Sequence, residues 1–405
     1  MDTLLSSQVA ETIDQLFPKL VELRHGFHRF PELSNQERET GRRIEEVLRR
    51  AGLEVTAGLA GYGVVGFLRG EAPERAAASG PTIAFRADMD ALPINEENPV
   101  PYRSEVPGVM HACGHDGHMT IVLGAALVLT HFKDRLKGNV KFLFQPAEEA
   151  SPAGGAARMI KAGVLRDPSV DAIFGLHLWP NLEEGTIGVK EGPMMSGSDR
   201  FTLTLTGKGG HAAMPYQADD AILAASQVVS SLYTVLGRKN NPSQPGVISI
   251  GTIHGGTRYN VIADQVVIEG TVRSATRDLQ MSMPERIEAI IDGIARAYGV
   301  KHRLDYTQGY PPVVTSPTQV DRVVRAARFV LGTDGVVRLS SGIAMAEDFA
   351  HYLTHVPGAF ILLGTGKRAL EGEPAPLHHP CFGFDESVLK IGVRVLAEVA
   401  LGGEE

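Results

Sequence analysis

The stretch VKFLF at residues 140–144 is a short, almost continuously apolar run that ends at a polar segment. Three more runs of this kind occur, at Thr82–Phe85, Ala172–Leu178 and Ala359–Leu363, and helical stretches separate them. Apolar runs without alternation are typical of strands that are buried on both faces of a parallel sheet. The pattern predicts an α/β fold with a mixed, mostly parallel central sheet flanked by helices.

The middle of the chain follows a different pattern. The segment FTLTLT at residues 201–206 alternates apolar and polar residues, which is typical of a strand with one dry and one wet face. The predicted elements that start there have the order βαββαβ, which is the order of a ferredoxin-like unit. We therefore predict an inserted ferredoxin-like α+β domain at residues 194–307, between two pieces of one catalytic domain at 1–193 and 308–405.

Composition and charge argue against several classes of protein. The 405 residues are 43% hydrophobic and 21% charged, as in an ordinary globular protein. The net charge of −8, without a dense Lys/Arg stripe, argues against a nucleic-acid partner. The longest apolar candidate, Ile121–Leu129, is about half of a membrane span, and Asp2 and Glu11 stand where a signal peptide needs positive charge. We expect a cytoplasmic protein with reduced cysteines and no membrane partner.

A helix is predicted at Leu33–Gly52. Ile44 and Leu48 share one face of it, and Gly52 suits its end. Ser34 and Glu37 have the spacing of a capping box, in which the side chain of each residue accepts a hydrogen bond from the backbone amide of the other. We expect these two residues to cap this helix.

The strongest chemical signal is HACGHDGH at residues 111–118, directly before a predicted helix. Cys113 and His115 are suited to zinc and similar ions, and Asp116 could bind or orient one. A merely polar helix entry is the alternative. The density of three His, one Cys and one Asp in eight residues favours a metal site.

Polar residues also follow the predicted buried strands. Each is weak evidence by itself, because a carboxylate or imidazole after a strand is usually part of a solvated turn. Ligands of open α/β sheets, however, bind beyond the carboxyl ends of the strands, so the fold would gather these side chains in one crevice. Charged groups gathered there imply an ion, with two expected. The residues at the strand ends are Asp88, Asp90, Glu148, Glu149 and His177, and His378 and His379 lie near the carboxyl terminus.

A second reading of Cys113 is a nucleophile activated by His115 or His111. Such a nucleophile gives no reason for the pair Glu148 and Glu149. The metal reading accounts for both, and we prefer it.

The inserted domain contributes two loops. GKGGHAAMP at residues 207–215 leaves His211 at a loop tip, and its use in catalysis requires domain closure or a second subunit. YNVIAD at residues 259–264 places Asn260 before a strand, although Asn is also a common turn former.

At these residues the chain resembles the aminoacylase/carboxypeptidase family of dinuclear metallohydrolases. The similarity is to its amidohydrolase branch, which includes N-acyl-amino-acid amidohydrolases, hippurate hydrolases and indole-acetyl-amino-acid hydrolases. It spans nearly the whole chain, in order. The motifs that carry it are LRHGFHRFPELS (23–34), RADMDALP (86–93), MHACGHDGH (110–118), QPAEE (145–149), GLHLWP (175–180), GKGGHAAMP, YNVIAD, AEDFA (346–350) and LHHP (377–380).

The resemblance implies two divalent ions, with zinc, manganese, cobalt or nickel as candidates. It implies that Glu148 is the general base and that Asp88 orients a ligand. Two positions depart from the family: Arg86 stands where the wider family has a His ligand, and His379 stands where the branch has Asn. The implied ligands are Cys113, His115, Glu149, His177 and His378.

The resemblance further implies that His211 of a partner subunit stabilises the oxyanion, and that Asn260 and Arg273 contact the substrate. It implies a homodimer or higher homo-oligomer formed through the inserted domain. The expected reaction is hydrolysis of N-acetyl, N-benzoyl or similar amino acids. A dipeptidase or carboxypeptidase is the alternative. An inactive metal-dependent binding protein is a third reading, and Glu148 argues against it because mere binding needs no general base.

Overall fold

The computed structural model describes residues 3–72, 80–241, 244–366 and 375–402. Its helices correspond to the amphipathic or apolar stretches between the strands. They are α1 (Thr3–Arg29), α2 (Arg38–Arg50), α3 (His115–Thr130), α4 (Ala156–Lys161), α5 (Ala221–Lys239), α6 (Arg277–Tyr298), α7 (Pro317–Leu331), α8 (Ala350–Leu353) and α9 (Ser387–Leu401).

The strands include each of the apolar runs that the sequence indicated. They are β1 (Glu54–Leu59), β2 (Gly63–Leu68), β3 (Thr82–Asp88), β4 (Asn139–Gln145), β5 (Ala172–Glu183), β6 (Ile187–Val189), β7 (Gly192–Met195), β8 (Gly197–Thr206), β9 (Gly210–His211), β10 (Gly246–Gly255), β11 (Val261–Ile262), β12 (Gln265–Ser274), β13 (Lys301–Thr307), β14 (Val313–Thr315), β15 (Val336–Arg338) and β16 (Gly358–Gly366).

The large sheet confirms the predicted α/β class. Within the described part of the chain its strand order is β1-β2-β4-β3-β5-β16-β6-β15. The central strands β4, β3, β5 and β16 run parallel to one another, and β2 and β6 join this block in antiparallel pairs. Every residue of β3, β4 and β16 is buried, as expected for strands covered on both faces.

Helix α3 lies in the core of this sheet domain. Its residues from His115 to Leu129 are buried around the whole helix circumference, because α1 and α9 pack against it on the side away from the sheet. This position holds the first turn of α3, with its polar residues, at the carboxyl ends of the parallel strands.

The four-stranded sheet has the order β10-β12-β8-β13, and all of its pairings are antiparallel. Together with α5 and α6 it reads βαββαβ along the chain, and these elements share a hydrophobic core of their own. Asp220 and Thr276 cap the two helices by accepting bonds from backbone amides. The chain divides into two compact units. One is Met1–Gly192, Thr315–Ser341 and His351–Glu405, and the other is Pro193–Val314 and Gly342–Ala350.

The predicted capping box of α2 is wrong. The helix begins at Arg38, and the carboxylate of Glu32 accepts bonds from the amides of Glu39 (3.2 Å) and Thr40 (2.8 Å). This leaves Ser34 and Glu37 for other partners, which lie near the carboxyl ends of the strands.

Among the described residues, no helix combines the length and the apolarity that a membrane crossing requires.

Candidate metal centre

The carboxyl ends of three parallel strands bring the predicted site residues to one edge of the sheet. Asp88 ends β3 and lies in register with Gln145, which ends β4 and is the first residue of the QPAEE segment. His177 lies on β5, the neighbour of β3 on its other side. His115 is the first residue of α3, and Cys113 lies two residues before it.

Two groups of ligand-type atoms share the sulfur of Cys113. The first comprises Cys113, His115 and His177, and the second comprises Cys113, Glu149 and His378; within each group the atoms lie within 4.8 Å of one another. Cys113 Sγ lies 3.4 Å from His177 Nε2. The donor set of thiolate, imidazole and carboxylate fits divalent ions such as zinc, which these residues would hold.

Hydrogen bonds to backbone carbonyls determine the tautomers of two of these histidines. His115 Nδ1 lies 2.7 Å from Asp90 O, and His177 Nδ1 lies 2.7 Å from Leu178 O. Because a carbonyl oxygen only accepts, both Nδ1 atoms carry a proton, and in the neutral rings the lone pair is on Nε2. His115 Nε2 is buried and has no hydrogen-bond partner among the described residues, which fits a metal ligand.

His378 and Glu149 face each other at the rim of the site. His378 Nε2 lies 3.1 Å from Glu149 Oε1, yet the two atoms lack the alignment of a hydrogen bond. Such a close pair of ligand-type atoms fits a common cation. The neighbouring His379 uses its Nδ1 to accept a bond from Cys381 N, so His378 is the better placed of the two histidines.

The electrostatics of the cluster also favour cations. Burial, followed by the charges of Glu149 and Glu148, raises the pKa of the Cys113 thiol well above its ordinary value. Burial alone would lower the pKa of His115, but Asp88 and Asp90 outweigh it and raise that pKa to about 10. Without a metal ion, the protonated ring of His115 balances the negative charge of the nearby carboxylates. A bound divalent ion can supply this positive charge instead.

The turn that carries Glu148 and Glu149 is held by buried carboxylates. Asp90 accepts bonds from the backbone amides of both glutamates, each at 3.0 Å, and Glu37 accepts one from Ala147 N at 2.7 Å. Ala147 has a φ of 59°, a left-handed conformation that is uncommon for a residue with a Cβ. These bonds hold that strained conformation and fix the direction in which Glu148 leaves the turn.

Asp88 contacts two residues that the sequence reading did not give a role. Its carboxylate lies 2.6 Å from Arg86 Nη1 and 2.7 Å from His118 Nδ1, but 3.8 Å from His115 Nδ1. Asp88, His115 and His118 also cluster, yet both ring nitrogens of His118 are already engaged, since Nε2 accepts from Leu178 N. His118 therefore does not have the free lone pair of a ligand.

Asp116, considered from the sequence as a ligand or an orienting group, belongs to a separate buried network. Its Oδ2 lies 3.1 Å from Arg24 Nε and 2.9 Å from His28 Nδ1, and His28 also contacts Glu96. Arg24 continues the network to Glu386 at the start of α9. The network joins α1, α3 and α9 and thereby holds the first turn of α3.

The predicted residues of the other unit lie at two separate places. His211 pairs with Val261 in the β9–β11 ladder, and Asn260 lies next to it with its Oδ1 buried and unpartnered in the part of the chain that the structure describes. Arg273 lies near the opposite end of β12 from these loops, where it bonds Thr271 and Val272 O. Since β12 separates the two places, His211 and Asn260 lie together in one protomer and Arg273 does not join them.

The sequence analysis gave no individual role at the site to His118, Ser34 or Glu37, and it placed Asp90 only among the polar residues at the strand ends. Ser34 Oγ donates to Asp90 Oδ2 at 2.6 Å, and Glu37 binds the QPAEE turn as described above. All four residues lie inside motifs that carried the resemblance or beside them. The density of polar residues there was the available signal.

Comparison with known proteins agrees with this geometry. The model of peptidase family M20/M25/M40 matches residues 84–402, which is most of the chain. The chain belongs to this family. Relatives include the N-acetylcysteine deacetylase of Bacillus subtilis, 40% identical over 95% of this chain and 96% of that protein. Thermostable carboxypeptidase 1 of Saccharolobus solfataricus is 36% identical over 94% of both chains.

A solved family M20 structure has the same fold. The Bacillus subtilis YXEP protein, described as a dinuclear metal-binding peptidase, superposes with a TM-score of 0.81 at 36% identity, over 96% of this chain and 98% of that one. A deacetylase and a carboxypeptidase both hydrolyse an amide bond. This M20 chain is thus a hydrolase of amides.

Proposed function

We propose that the protein hydrolyses the amide bond of N-acyl amino acids, with acetyl or benzoyl as the acyl group, by means of two divalent metal ions. The free amino acid and a carboxylic acid are the products. The observation that carries this proposal is the pair of ligand groups that share Cys113, one with His115 and His177 and the other with Glu149 and His378. A cysteine among the ligands favours zinc, while imidazole and carboxylate also suit manganese, cobalt or nickel.

Glu148 is the proposed general base. Its carboxylate is buried close to His115 and Glu149, and its backbone is held by Asp90, so its position is defined before substrate arrives. Bound divalent ions lower the pKa of water and polarise a carbonyl. Glu148 accepts the proton of the attacking water and delivers it to the nitrogen of the leaving amino acid.

His211 is proposed to act on the active site of a partner subunit, where it stabilises the developing oxyanion. Its Nδ1 accepts a bond from Ala213 N at 3.1 Å, so in the neutral ring Nε2 carries the proton and is a donor. Asn260, next to it, and Arg273 are proposed to contact the carbonyl or carboxylate of the substrate.

We propose that the predicted domain at residues 194–307 is a lid and dimerisation domain. The strand β10 lies at one end of its sheet, and exposed apolar side chains occur on this strand and on the neighbouring helix α5. These are Ile222, Leu223, Tyr233, Val247 and Ile253. The opposite edge strand β13 instead exposes charged residues, which discourages pairing. An apolar edge of this kind suits a second copy of the chain.

A second candidate activity is the cleavage of dipeptides or of carboxy-terminal residues. It is supported by the likeness to a carboxypeptidase named above. The two activities share the metal chemistry and differ in the group that occupies the acyl side of the scissile bond.

The test is the release of free amino acid from a panel of N-acetyl amino acids, N-benzoyl amino acids and dipeptides. Wild type loaded with zinc, manganese, cobalt or nickel is compared with chelator-treated protein and with Glu148→Gln. We expect turnover of acyl amino acids, lost on chelation and reduced about 10²-fold or more in the variant.

Glu184→Gln, at an exposed glutamate of the same unit, is the matched control and should keep full activity. Turnover of dipeptides alone would replace the acyl-amino-acid proposal by the peptidase. Absence of turnover with every metal would overturn both activities.

A further inference from the structure

The backbone of Leu178 lies between two histidine rings. Leu178 N donates to His118 Nε2 at 2.9 Å, and Leu178 O accepts from His177 Nδ1 at 2.7 Å. Both bonds are buried. Leu178 N belongs to the peptide group between His177 and Leu178, and Leu178 O belongs to the next peptide group. The backbone of Leu178 thus connects the ring of His118 to the ring of His177, whose Nε2 faces Cys113.

The other nitrogen of His118 is also fixed. His118 Nδ1 lies 2.7 Å from Asp88 Oδ1, and Asp88 Oδ2 lies 2.6 Å from Arg86 Nη1. Since Leu178 N–H only donates, His118 Nε2 must be the acceptor and Nδ1 must carry the proton toward Asp88. The order of bonds is therefore Arg86, Asp88, His118, the backbone of Leu178 and His177.

The sheet explains why a side chain bonds this backbone amide. Strand β3 pairs with β5 through Arg86 and Gly175, and β3 ends at Asp88. The amide of Leu178 lies beyond this paired region, so a buried donor would otherwise be left without a partner on the β3 side. His118, one turn into α3, supplies the acceptor.

We propose that His118 is a positioning residue for metal binding, which orients His177 through the backbone of Leu178. The inference rests on the proposed two-metal function. The bond from Leu178 N restrains the peptide group that joins His177 to Leu178, and Leu178 O in turn restrains the His177 ring with Nε2 directed at Cys113. Asp88 thus supports His177 through this connection, and the backbone of Asp90 supports His115.

Two substitutions separate the two bonds of His118. In His118→Asn the amide nitrogen can replace Nδ1 and still donate to Asp88, but Leu178 N loses its acceptor. In His118→Gln the longer side chain can accept from Leu178 N, but Asp88 loses its donor. If His118 acts through Leu178, Asn is the more damaging change, whereas a role confined to pairing with Asp88 makes Gln the more damaging one.

The experiment is a titration of metal-free protein with Co²⁺, followed by the thiolate-to-cobalt absorption of Cys113. We expect His118→Asn to weaken binding of one cobalt ion about 10- to 100-fold, with His118→Gln affected less. His131→Asn, at an exposed histidine at the end of α3, is the matched control and should bind as wild type. Equal binding by wild type and His118→Asn, or a larger loss in His118→Gln, would overturn the proposal.

A measurement on wild type covers the case in which a variant does not fold. With ¹¹³Cd²⁺ and ¹⁵N-labelled histidine, we expect cadmium coupling to the Nε2 atoms of His115 and His177 and none to His118. Coupling to His118 would make it a ligand and refute the positioning role. Failure of wild type to produce any cobalt–thiolate absorption would instead refute the proposed metal site itself.

Discussion

Asp90 shows how one buried residue can organise several functional groups. Its carbonyl oxygen fixes the tautomer of His115, and its carboxylate accepts the backbone amides of Glu148 and Glu149. Burial raises the pKa of such a carboxylate, but the bonds from His115 and Ser34 outweigh burial and lower it. Asp90 therefore stays ionised and accepts all of these bonds.

Glu37 is a second buried carboxyl group, and its pKa is shifted in the opposite direction. Burial, with the charge of Asp90 contributing, raises the pKa of Glu37 from 4.5 to about 7. Because the folded-state pKa lies above the unfolded one, the stability that the protonated form contributes is complete below pH 4.5 and is lost as pH rises through about 7.

We therefore predict that Glu37→Gln reduces the fall in Tm between about pH 5.5 and about pH 8.5 by about 2 to 6 °C relative to wild type. Thermal unfolding at several pH values measures this difference, and any constant cost of the substitution cancels. Glu54→Gln, at an exposed position of β1, should follow the wild-type profile. A Glu37→Gln profile parallel to wild type would show that Glu37 is ionised throughout.

At the scale of elements, the connection from β4 to α4 carries Glu148 and Glu149 and requires a close approach of two backbone segments. A Cβ built on Gly155, which directly precedes α4, would lie 1.7 Å from Pro146 O. Two atoms that are not bonded to each other cannot lie this close. Any side chain at Gly155 must therefore displace the turn that positions both glutamates.

We predict that Gly155→Ala lowers the free energy of unfolding by about 1 to 3 kcal/mol and also weakens metal binding. Denaturant unfolding and the cobalt titration measure the two effects. Gly293→Ala is the matched control, because Gly293 lies inside α6 with open space around its Cβ direction.

The control should be neutral or raise the free energy of unfolding by up to about 1 kcal/mol. Wild-type stability in Gly155→Ala would mean that the turn relaxes without cost.

At the scale of the whole molecule, the proposed dimer would complete each active site with a residue from the other subunit. The edge strand β10 and helix α5 carry the apolar surface, and His211 lies on a loop of the same unit. Such an arrangement makes activity depend on association.

We predict that Leu223→Asp with Ile253→Asp converts the dimer to monomers and abolishes turnover, as measured by sedimentation and by amino-acid release. Lys301→Asp, on the opposite edge strand β13, should leave the dimer intact. Mixed subunits of His211→Ala and Glu148→Gln should regain roughly a quarter of wild-type activity, since half of random dimers hold one complete site. If mixing the two variants restores no activity, the proposal that His211 acts on the active site of its partner subunit is wrong.

Local patterns were sufficient to predict the architecture. Continuous apolar runs indicated buried parallel strands, alternation indicated the four-stranded sheet, and the density of HACGHDGH indicated a metal site. These signals are local because hydrophobic periodicity reflects how each segment is buried. The ligand set, including His378, stays a prediction that the geometry supports, as do the domain boundaries.

The sequence by itself thus determined the fold class, the family and the region of the chemistry. Only the tertiary structure decided how the site is supported, because its hydrogen bonds join residues that are far apart along the chain. Ser34 and Asp90 are 56 positions apart, Glu37 and Ala147 are 110 apart, and His118 and Leu178 are 60 apart. The capping-box spacing of Ser34 and Glu37 was misleading for the same reason. The spacing of residues along the chain determines which local hydrogen bonds are possible, and tertiary packing determines which hydrogen bonds form.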